Sequence, residues 1–166
     1  MKKAIFLSIL CLIVFGGVKI TQATEVDLII SEIMYDLPGS DSGHEWVEVY
    51  NGGVEDIVVT PGSGGQAWRF FDGSNHTLNL TQGTTTIAGS EFFVIASDAE
   101  QFLVDYPDFI GTIFDTVMSL PNSSSTLSLS FDGGDDYPIA AHYDSNWGGG
   151  GTGFSLEKIN LSQDSS

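Results

Sequence analysis

Residues 126–131 read Thr-Leu-Ser-Leu-Ser-Phe and give the clearest secondary-structure signal in the chain. Successive side chains of a β-strand point to opposite faces, so the three apolar side chains share one face and the three hydroxyl side chains share the other. This alternation predicts a strand that lies over a core and turns its hydroxyl face to water. The next residues, Asp132-Gly133-Gly134-Asp135, predict a tight turn because glycine tolerates positive φ. A second alternation over residues 137–143 completes a predicted β-hairpin.

The chain on both sides of this hairpin repeats the pattern in shorter pieces. Apolar or alternating runs are separated by Gly, Pro, Asn, Asp and Ser, and no long run after residue 23 has a 3.6-residue apolar period. The further predicted strands are residues 26–34, 45–50, 57–60, 67–71, 77–80, 84–87, 91–96 and 154–159. Asp98, with Gln101 three residues later, predicts the N-cap of one helix of about two turns, which Pro107 stops. About eight to ten short strands with one short helix indicate an all-β sandwich or barrel.

The first 23 residues have the layout of a secretory signal peptide. Lys2 and Lys3 precede an apolar run over residues 4–18, and Thr-Gln-Ala at residues 21–23 places small residues at the −3 and −1 cleavage positions. An uncleaved membrane anchor is the alternative, but the run is shorter than the roughly 20 residues that span a bilayer. We therefore expect a secreted or cell-surface domain over residues 24–166, with no membrane insertion after cleavage.

Removal of the first 23 residues leaves an extremely acidic domain. Arg69 and Lys158 are then the only cations and face 22 acidic residues, which gives a formal charge of −20. Nucleic-acid binding relies on lysine and arginine contacts to phosphates, so nucleic acid is excluded as a partner. Cys11, the one cysteine, lies in the predicted signal peptide, so the mature domain has no disulfide, no cysteine nucleophile and no cysteine-based zinc site.

An ordered set of short motifs resembles the lamin tail domain family in its bacterial secreted form. The motifs cover roughly residues 28–160 and are Ile-Ser-Glu-Ile-Met at 30–34, His-Glu-Trp-Val-Glu-Val-Tyr-Asn at 44–51, Trp-Arg-Phe at 68–70, the strand and acidic cap at 91–98, Phe102 with Tyr106-Pro107, residues 122–131, and Gly-Phe-Ser-Leu-Glu-Lys at 153–158. The resemblance implies an immunoglobulin-like antiparallel β-sandwich with one short helix and no catalytic site. Two departures from the family pattern stand out: Gln66-Ala67 replaces the usual glycine before Trp68, and the C-terminal edge at Ser166 is expected to be truncated.

Several polar residues could in principle carry chemistry. Glu32, Glu45 and Glu48 lie in apolar strands, where paired carboxylates could act in acid–base catalysis. The favoured interpretation is structural, because buried carboxylates need hydrogen-bond partners from backbone or hydroxyl groups. The three histidines, His44, His76 and His142, are scattered. His142 and Asp144 share a strand face and could ligate a metal, although a lone, solvated His142 is favoured.

Calcium is the ion that the sequence suggests most strongly. Asp132, Asp135 and Asp136 concentrate carboxylates in a single turn, and a second acidic loop covers residues 36–41. Calcium takes several oxygen ligands in flexible geometry, but neither stretch follows the EF-hand spacing. An ordinary turn is the favoured interpretation, and a bound Ca²⁺ is the alternative.

These observations favour a non-catalytic extracellular or cell-surface module that interacts with a protein or other ligand, accessory to a larger secreted protein or displayed alone. The alternative is a calcium-dependent adhesion or carbohydrate-binding domain, in which Tyr35, Trp147 and Tyr143 would stack on sugars. A metal-dependent hydrolase is the least favoured class, since the chain has no Gly-x-Ser-x-Gly or His-Glu-x-x-His motif.

Overall fold

The computed structural model of the protein describes residues 27–161, so the predicted signal peptide and the last five residues lie outside the described residues. This part of the chain forms strands, one α-helix and one short 3₁₀ helix. In chain order the elements are β1 (Leu28–Met34), β2 (Trp46–Asn51), β3 (Ile57–Val58), β4 (Arg69–Phe71), β5 (Asn75–Thr77), β6 (Asn79–Gln82), β7 (Thr86–Ile87), β8 (Phe92–Ala96), α1 (Ala99–Asp105), β9 (Thr112–Asp115), β10 (Ser124–Ser130), β11 (Ile139–Asp144), the 3₁₀ helix Ser145–Trp147 and β12 (Leu156–Glu157).

The strands form layers around one main core. A six-stranded sheet has the order β12-β1-β2-β8-β9-β6, a four-stranded sheet has the order β11-β10-β4-β5, and β3 pairs with β7. Apolar side chains of both larger sheets, among them Val47, Phe93, Phe70 and Leu127, belong to the same buried cluster. The all-β class and the layered, sandwich-like packing predicted from the sequence are therefore confirmed.

The predicted hairpin is present, with two corrections. The connection is longer than the predicted tight turn, because β10 ends at Ser130 and β11 begins only at Ile139. β10 pairs with β11 in antiparallel register, and Leu127 and Leu129 are fully buried, as the alternation predicts. The opposite face is not uniformly exposed to water, because Ser128 and Ser130 are also buried. β10 is a central strand between β11 and β4, and the Ser130 hydroxyl is engaged in the following turn.

The segment β8–α1–β9 departs from a purely antiparallel sandwich. Asp98 caps α1 as predicted, its carboxylate accepting a hydrogen bond from the Gln101 backbone N–H. The helix ends at Asp105, one residue before the C-cap Tyr106 and two before Pro107, as expected. The chain then forms β9, which the sequence analysis did not predict and which pairs with β8 in parallel. The prediction that all strands are antiparallel is wrong here because α1 carries the chain back to the same end of the sheet.

The helix covers part of the outer face of the six-stranded sheet. Beneath it lies a second apolar cluster, whose buried members are Met34, Trp46, Val94, Ala96, Ala99, Phe102 and Ile113. Trp46 packs edge-on against Phe102 and Tyr106 at ring-centroid distances of 5.7 Å. The large sheet is thus buried on both faces over part of its area, which explains why β1 and β8 are apolar on both sides.

Other predicted strands also differ in extent. The strands predicted over residues 57–60, 67–71 and 84–87 shorten to β3, β4 and β7. The predicted strand over residues 77–80 is in fact two strands, because the chain passes from the four-stranded to the six-stranded sheet at Leu78, which is fully buried between them. The predicted strand over residues 154–159 shrinks to β12, and Phe154 and Ile159 are exposed.

Candidate functional site

Two buried tyrosines form the base of one end of the sandwich, where β1 and β11 end. The rings of Tyr35 and Tyr143 lie 4.6 Å apart, and neither side chain is more than marginally exposed. The Tyr35 hydroxyl donates to the Gly148 carbonyl oxygen at 2.5 Å, and the Tyr143 hydroxyl donates to that of Pro121 at 2.7 Å. Burial, followed by nearby carboxylates, raises the pKa of both phenols. The suggestion that these two tyrosines stack on sugars is therefore wrong, because their rings are inside the fold.

Trp147 directly precedes Gly148, to which Tyr35 is hydrogen-bonded, and is the aromatic residue of the suggested set that remains accessible. It ends the 3₁₀ helix that Asp144 caps, since the Asp144 carboxylate accepts from the Asn146 backbone N–H at 2.8 Å. The Trp147 side chain is 62% exposed, and its ring lies edge-on to His142 at 5.6 Å. Most of this large aromatic side chain is therefore in contact with solvent.

A glycine-rich loop places a second exposed aromatic residue nearby. Gly149 has φ +81°, and a Cβ atom there would lie 3.0 Å from the Phe154 carbonyl oxygen and 3.1 Å from the Tyr35 ring. The close approach of the backbone to both residues therefore requires glycine. Phe154 is 74% exposed. The sequence analysis assigned Phe154 to a strand; an aromatic residue directly after a run of glycines was the signal for an exposed loop residue instead.

Glu45 lies inside the same end and holds a crossing segment. Glu45 is 5% exposed, and its Oε1 accepts a hydrogen bond from the Leu120 backbone N–H at 2.8 Å. The neighbouring Ser119 N–H donates to the Asp72 carboxylate at 3.0 Å. Burial raises the pKa of Glu45 to about 7, the Leu120 hydrogen bond opposes this shift, and Asp41 and Asp72 add to it. Two carboxylates thus tie down the chain that passes from β9 to β10.

Glu32 and Glu48 lie side by side on the outer face of the six-stranded sheet. They are cross-strand partners, and Glu157 of β12 lies opposite Glu32 on the other side. The Ser31 hydroxyl donates to Glu48 at 2.8 Å, and the Ser155 hydroxyl donates to Glu32. Burial raises the pKa of Glu48, the Ser31 hydrogen bond opposes the shift, and the two neighbouring glutamates add to it. With Glu45 bound to Leu120, all three carboxylates have a hydrogen-bond partner of the kind that the structural interpretation expects, a backbone or hydroxyl group.

The three histidines stay apart from one another. His44 Nδ1 lies 2.6 Å from the Asp105 carboxylate, which joins the loop before β2 to α1. His76 Nε2 lies 2.9 Å from Asp72. His142 Nδ1 lies 3.3 Å from the Thr126 hydroxyl. His142 and Asp144 share a face of β11, as predicted, but the Asp144 carboxylate is engaged in capping.

The three calcium candidates lie in the turn after β10. Asp132 Oδ1 accepts from the Ser130 hydroxyl at 2.7 Å and from the Asp135 and Asp136 backbone N–H groups at 3.1 Å. These hydrogen bonds lower the pKa of Asp132. The side chains of Asp135 and Asp136 are exposed. Across residues 27–161 no group of three or more histidine, cysteine, aspartate or glutamate side chains is placed to hold a metal ion.

Comparisons with protein-family models, curated proteins and solved structures found no match to this chain. Among residues 27–161, no helix has both the length and the apolar character needed to cross a bilayer. The lamin tail assignment, the signal peptide and the bound calcium stay predictions.

Proposed function

We propose that the protein is a non-catalytic β-sandwich module of the lamin tail type, secreted or held at the cell surface, that acts by binding a partner at the end that carries Trp147. The observation that carries this proposal is the exposed Trp147 ring on a base of buried, hydrogen-bonded tyrosines. The ring packs edge-on against His142 at 5.6 Å, and this contact reduces the conformational freedom that a covering partner would remove.

The hydrogen bonds of the acidic side chains support the non-catalytic part of this proposal. Glu45 holds the segment before β10, Asp132 holds the turn after it, and Asp144 caps the 3₁₀ helix. A general acid or base has to reach the proton that it transfers to or from a substrate. Carboxylates whose oxygens accept from the backbone of their own fold serve structure first.

Hydrolysis assays on the purified protein test the non-catalytic part of the proposal. Phosphodiester, peptide and glycoside substrates are offered to the wild type and to the Glu45→Gln and Glu48→Gln variants. We expect no turnover by any of the three proteins. Turnover by the wild type that either variant loses would contradict the proposal, because it would make a buried carboxylate a catalytic group.

Calcium dependence is tested separately by calorimetric titration of the same protein. The exposed carboxylates of Asp135 and Asp136 are the observation that supports a calcium-dependent module as the alternative. We expect neither heat of binding nor a shift in melting temperature at millimolar Ca²⁺. Binding that the Asp135→Asn, Asp136→Asn double variant abolishes would establish the calcium-dependent module instead.

A further inference from the structure

We propose that the end of the sandwich carrying Trp147 binds a basic protein segment, with an arginine or lysine side chain of the partner placed on the Trp147 ring. This inference rests on the proposed binding function and names its partner class. The surface concerned, called the Trp147 face below, consists of Trp147, Phe154, His142, Asp36 and Asp144.

The two carboxylates of the Trp147 face flank the glycine loop. Asp36 Oδ2 lies 3.5 Å from the position that a Cβ atom would take at Gly150, and its Oδ1 accepts from Asn122 at 3.0 Å. Asp144 precedes the 3₁₀ helix that ends in Trp147. Both carboxylates are close enough to the Tyr35 hydroxyl to raise its pKa, and that hydroxyl is bonded to Gly148, the residue after Trp147. Two carboxylates therefore lie next to the segment that carries Trp147, and each uses Oδ1 in a hydrogen bond within the fold.

An exposed tryptophan beside carboxylates suits a cationic side chain better than other ligands. The face of an indole ring attracts ammonium and guanidinium groups, and Trp is the best of the aromatic residues in this role. A guanidinium can stack on the ring and donate to a carboxylate at the same time, because it is planar and has five N–H donors. The Trp147 face offers both kinds of partner at one place.

The domain does not supply this cation itself. Arg69 is 7% exposed and donates to the backbone carbonyls of Gly62, Gly64 and Trp68. Lys158 follows β12 and lines a hollow with Glu48 and Glu157, whose residues do not include Trp147. These are the only lysine and arginine residues after residue 23. A formal charge of −20 after that point also attracts a basic partner over a distance and repels polyanions.

The test uses the purified protein and a hexa-arginine peptide, with a hexa-glutamate peptide and a neutral hexasaccharide as the competing classes. Trp46 and Trp68 are buried, so quenching of tryptophan fluorescence by acrylamide reports on Trp147. We expect hexa-arginine to protect the quenchable fluorescence and the other two ligands to leave it unchanged. Calorimetry gives the affinity, which should fall with added salt.

Variants separate a specific face from general attraction to an acidic protein. Trp147→Ala changes no charge and should weaken hexa-arginine binding about tenfold. Asp36→Asn and Asp144→Asn each keep an acceptor oxygen but remove a negative charge, so each should weaken hexa-arginine binding roughly threefold. The control variant, Glu55→Gln with Asp56→Asn, removes two exposed carboxylates elsewhere and should change the affinity less than twofold. Val54→Ala, at another exposed apolar residue, is the uncharged control.

Two results would overturn the inference. Equal binding by wild type and Trp147→Ala, or an equal loss from every charge change wherever it lies, would reduce the effect to non-specific attraction. Protection of Trp147 by the neutral hexasaccharide but not by hexa-arginine would replace the basic partner with a glycan and leave the proposed binding function standing. Failure of the binding function itself would appear as protection by none of the three ligands.

Discussion

The charged side chains at the two ends of strand β10 differ in how many hydrogen bonds they make. The end at Ser130 is called the far end. There, Asp132 accepts three hydrogen bonds and Arg69 donates three to backbone carbonyls. The end at Ser124, beside the 3₁₀ helix that ends in Trp147, is called the near end. There, Glu45 accepts one N–H hydrogen bond at 2.8 Å, and the carboxylates of Asp41 and Asp72 lie close by. The far end satisfies its own charged groups, whereas the near end leaves a carboxyl poorly solvated.

Under the proposed function, the near end is the one that faces a partner. At the far end Asp132 and Arg69 hold the loops, while the carboxylates of Asp135 and Asp136 are exposed. The near end combines an acidic interior with the exposed rings of Trp147 and Phe154. The predictions below disturb each end in turn, from the largest expected effect on stability to the smallest.

Arg69→Met breaks the far end by removing the donor to three carbonyl groups. The variant should lower the free energy of unfolding by about 3 kcal/mol, because hydrogen bonds from a charged donor are strong and buried acceptors are left unpaired. Denaturant unfolding followed by tryptophan fluorescence measures this loss. Lys158→Met makes the same charge change and should stay within about 0.5 kcal/mol of the wild type. A loss from Lys158→Met as large as that from Arg69→Met would mean that net charge, not the three carbonyl bonds, is responsible.

Glu45→Gln tests the near end through its pH dependence. The folded pKa of about 7 exceeds the ordinary value of 4.5, so the folded protein keeps a proton that the unfolded chain releases between these pH values. The contribution of Glu45 to stability is therefore complete below pH 4.5 and is lost as pH rises through 7. Glutamine cannot ionise, so the free energy of unfolding of the variant should exceed that of the wild type at pH 8 by up to about 3 kcal/mol.

The measurement is the difference in unfolding free energy between Glu45→Gln and wild type at pH 5 and at pH 8. Subtraction removes the titration of every other group. Glu91→Gln, at an exposed position, serves as the control and should give the same difference at both values. A Glu45→Gln difference that does not grow with pH would contradict the assigned environment of Glu45.

Asp132→Asn tests the far end, where the expected pH dependence of stability has the opposite sign to that of Glu45. The pKa of Asp132 lies below its ordinary 3.8, so its contribution to stability is present above that value and is lost as pH falls through the lowered pKa. The variant should melt at a lower temperature than the wild type at pH 7, and the gap should narrow towards pH 3. Asp135→Asn, which changes an exposed carboxylate in the same turn, should show no gap.

Trp147→Ala should have the smallest effect on stability and the largest on binding. A side chain that is 62% exposed loses little buried area on truncation, so the free energy of unfolding should change by less than about 0.5 kcal/mol. Chemical denaturation provides this value. A loss above about 2 kcal/mol would show that the ring supports the fold instead of serving as a contact surface.

Much of the fold could be predicted from local patterns. The alternation around Leu127 and Leu129, the Asp98 cap and the stop before Pro107 depend on neighbours in sequence, and all three are confirmed. The parallel partner β9 and the change of sheet at Leu78 could not be predicted, because pairing partners are set by packing between distant segments.

The candidate site was less predictable for the same reason. Tyr35, Tyr143 and Trp147 have equal aromatic character in the sequence, and only the fold places two of them inside and one outside. The Asp132 turn was visible as a carboxylate cluster, but the hydrogen bonds that occupy its oxygen depend on the conformation of Gly133 and Gly134.

Backbone amide chemical shifts of the purified protein, recorded during titration with hexa-arginine, test most directly which end of the sandwich is the working surface. The account predicts that shift changes concentrate at residues 142–154 and at Asp36, and that the turn at residues 132–136 stays unchanged. Changes that centre on the Asp132 turn, or that spread evenly over all acidic residues, would contradict it.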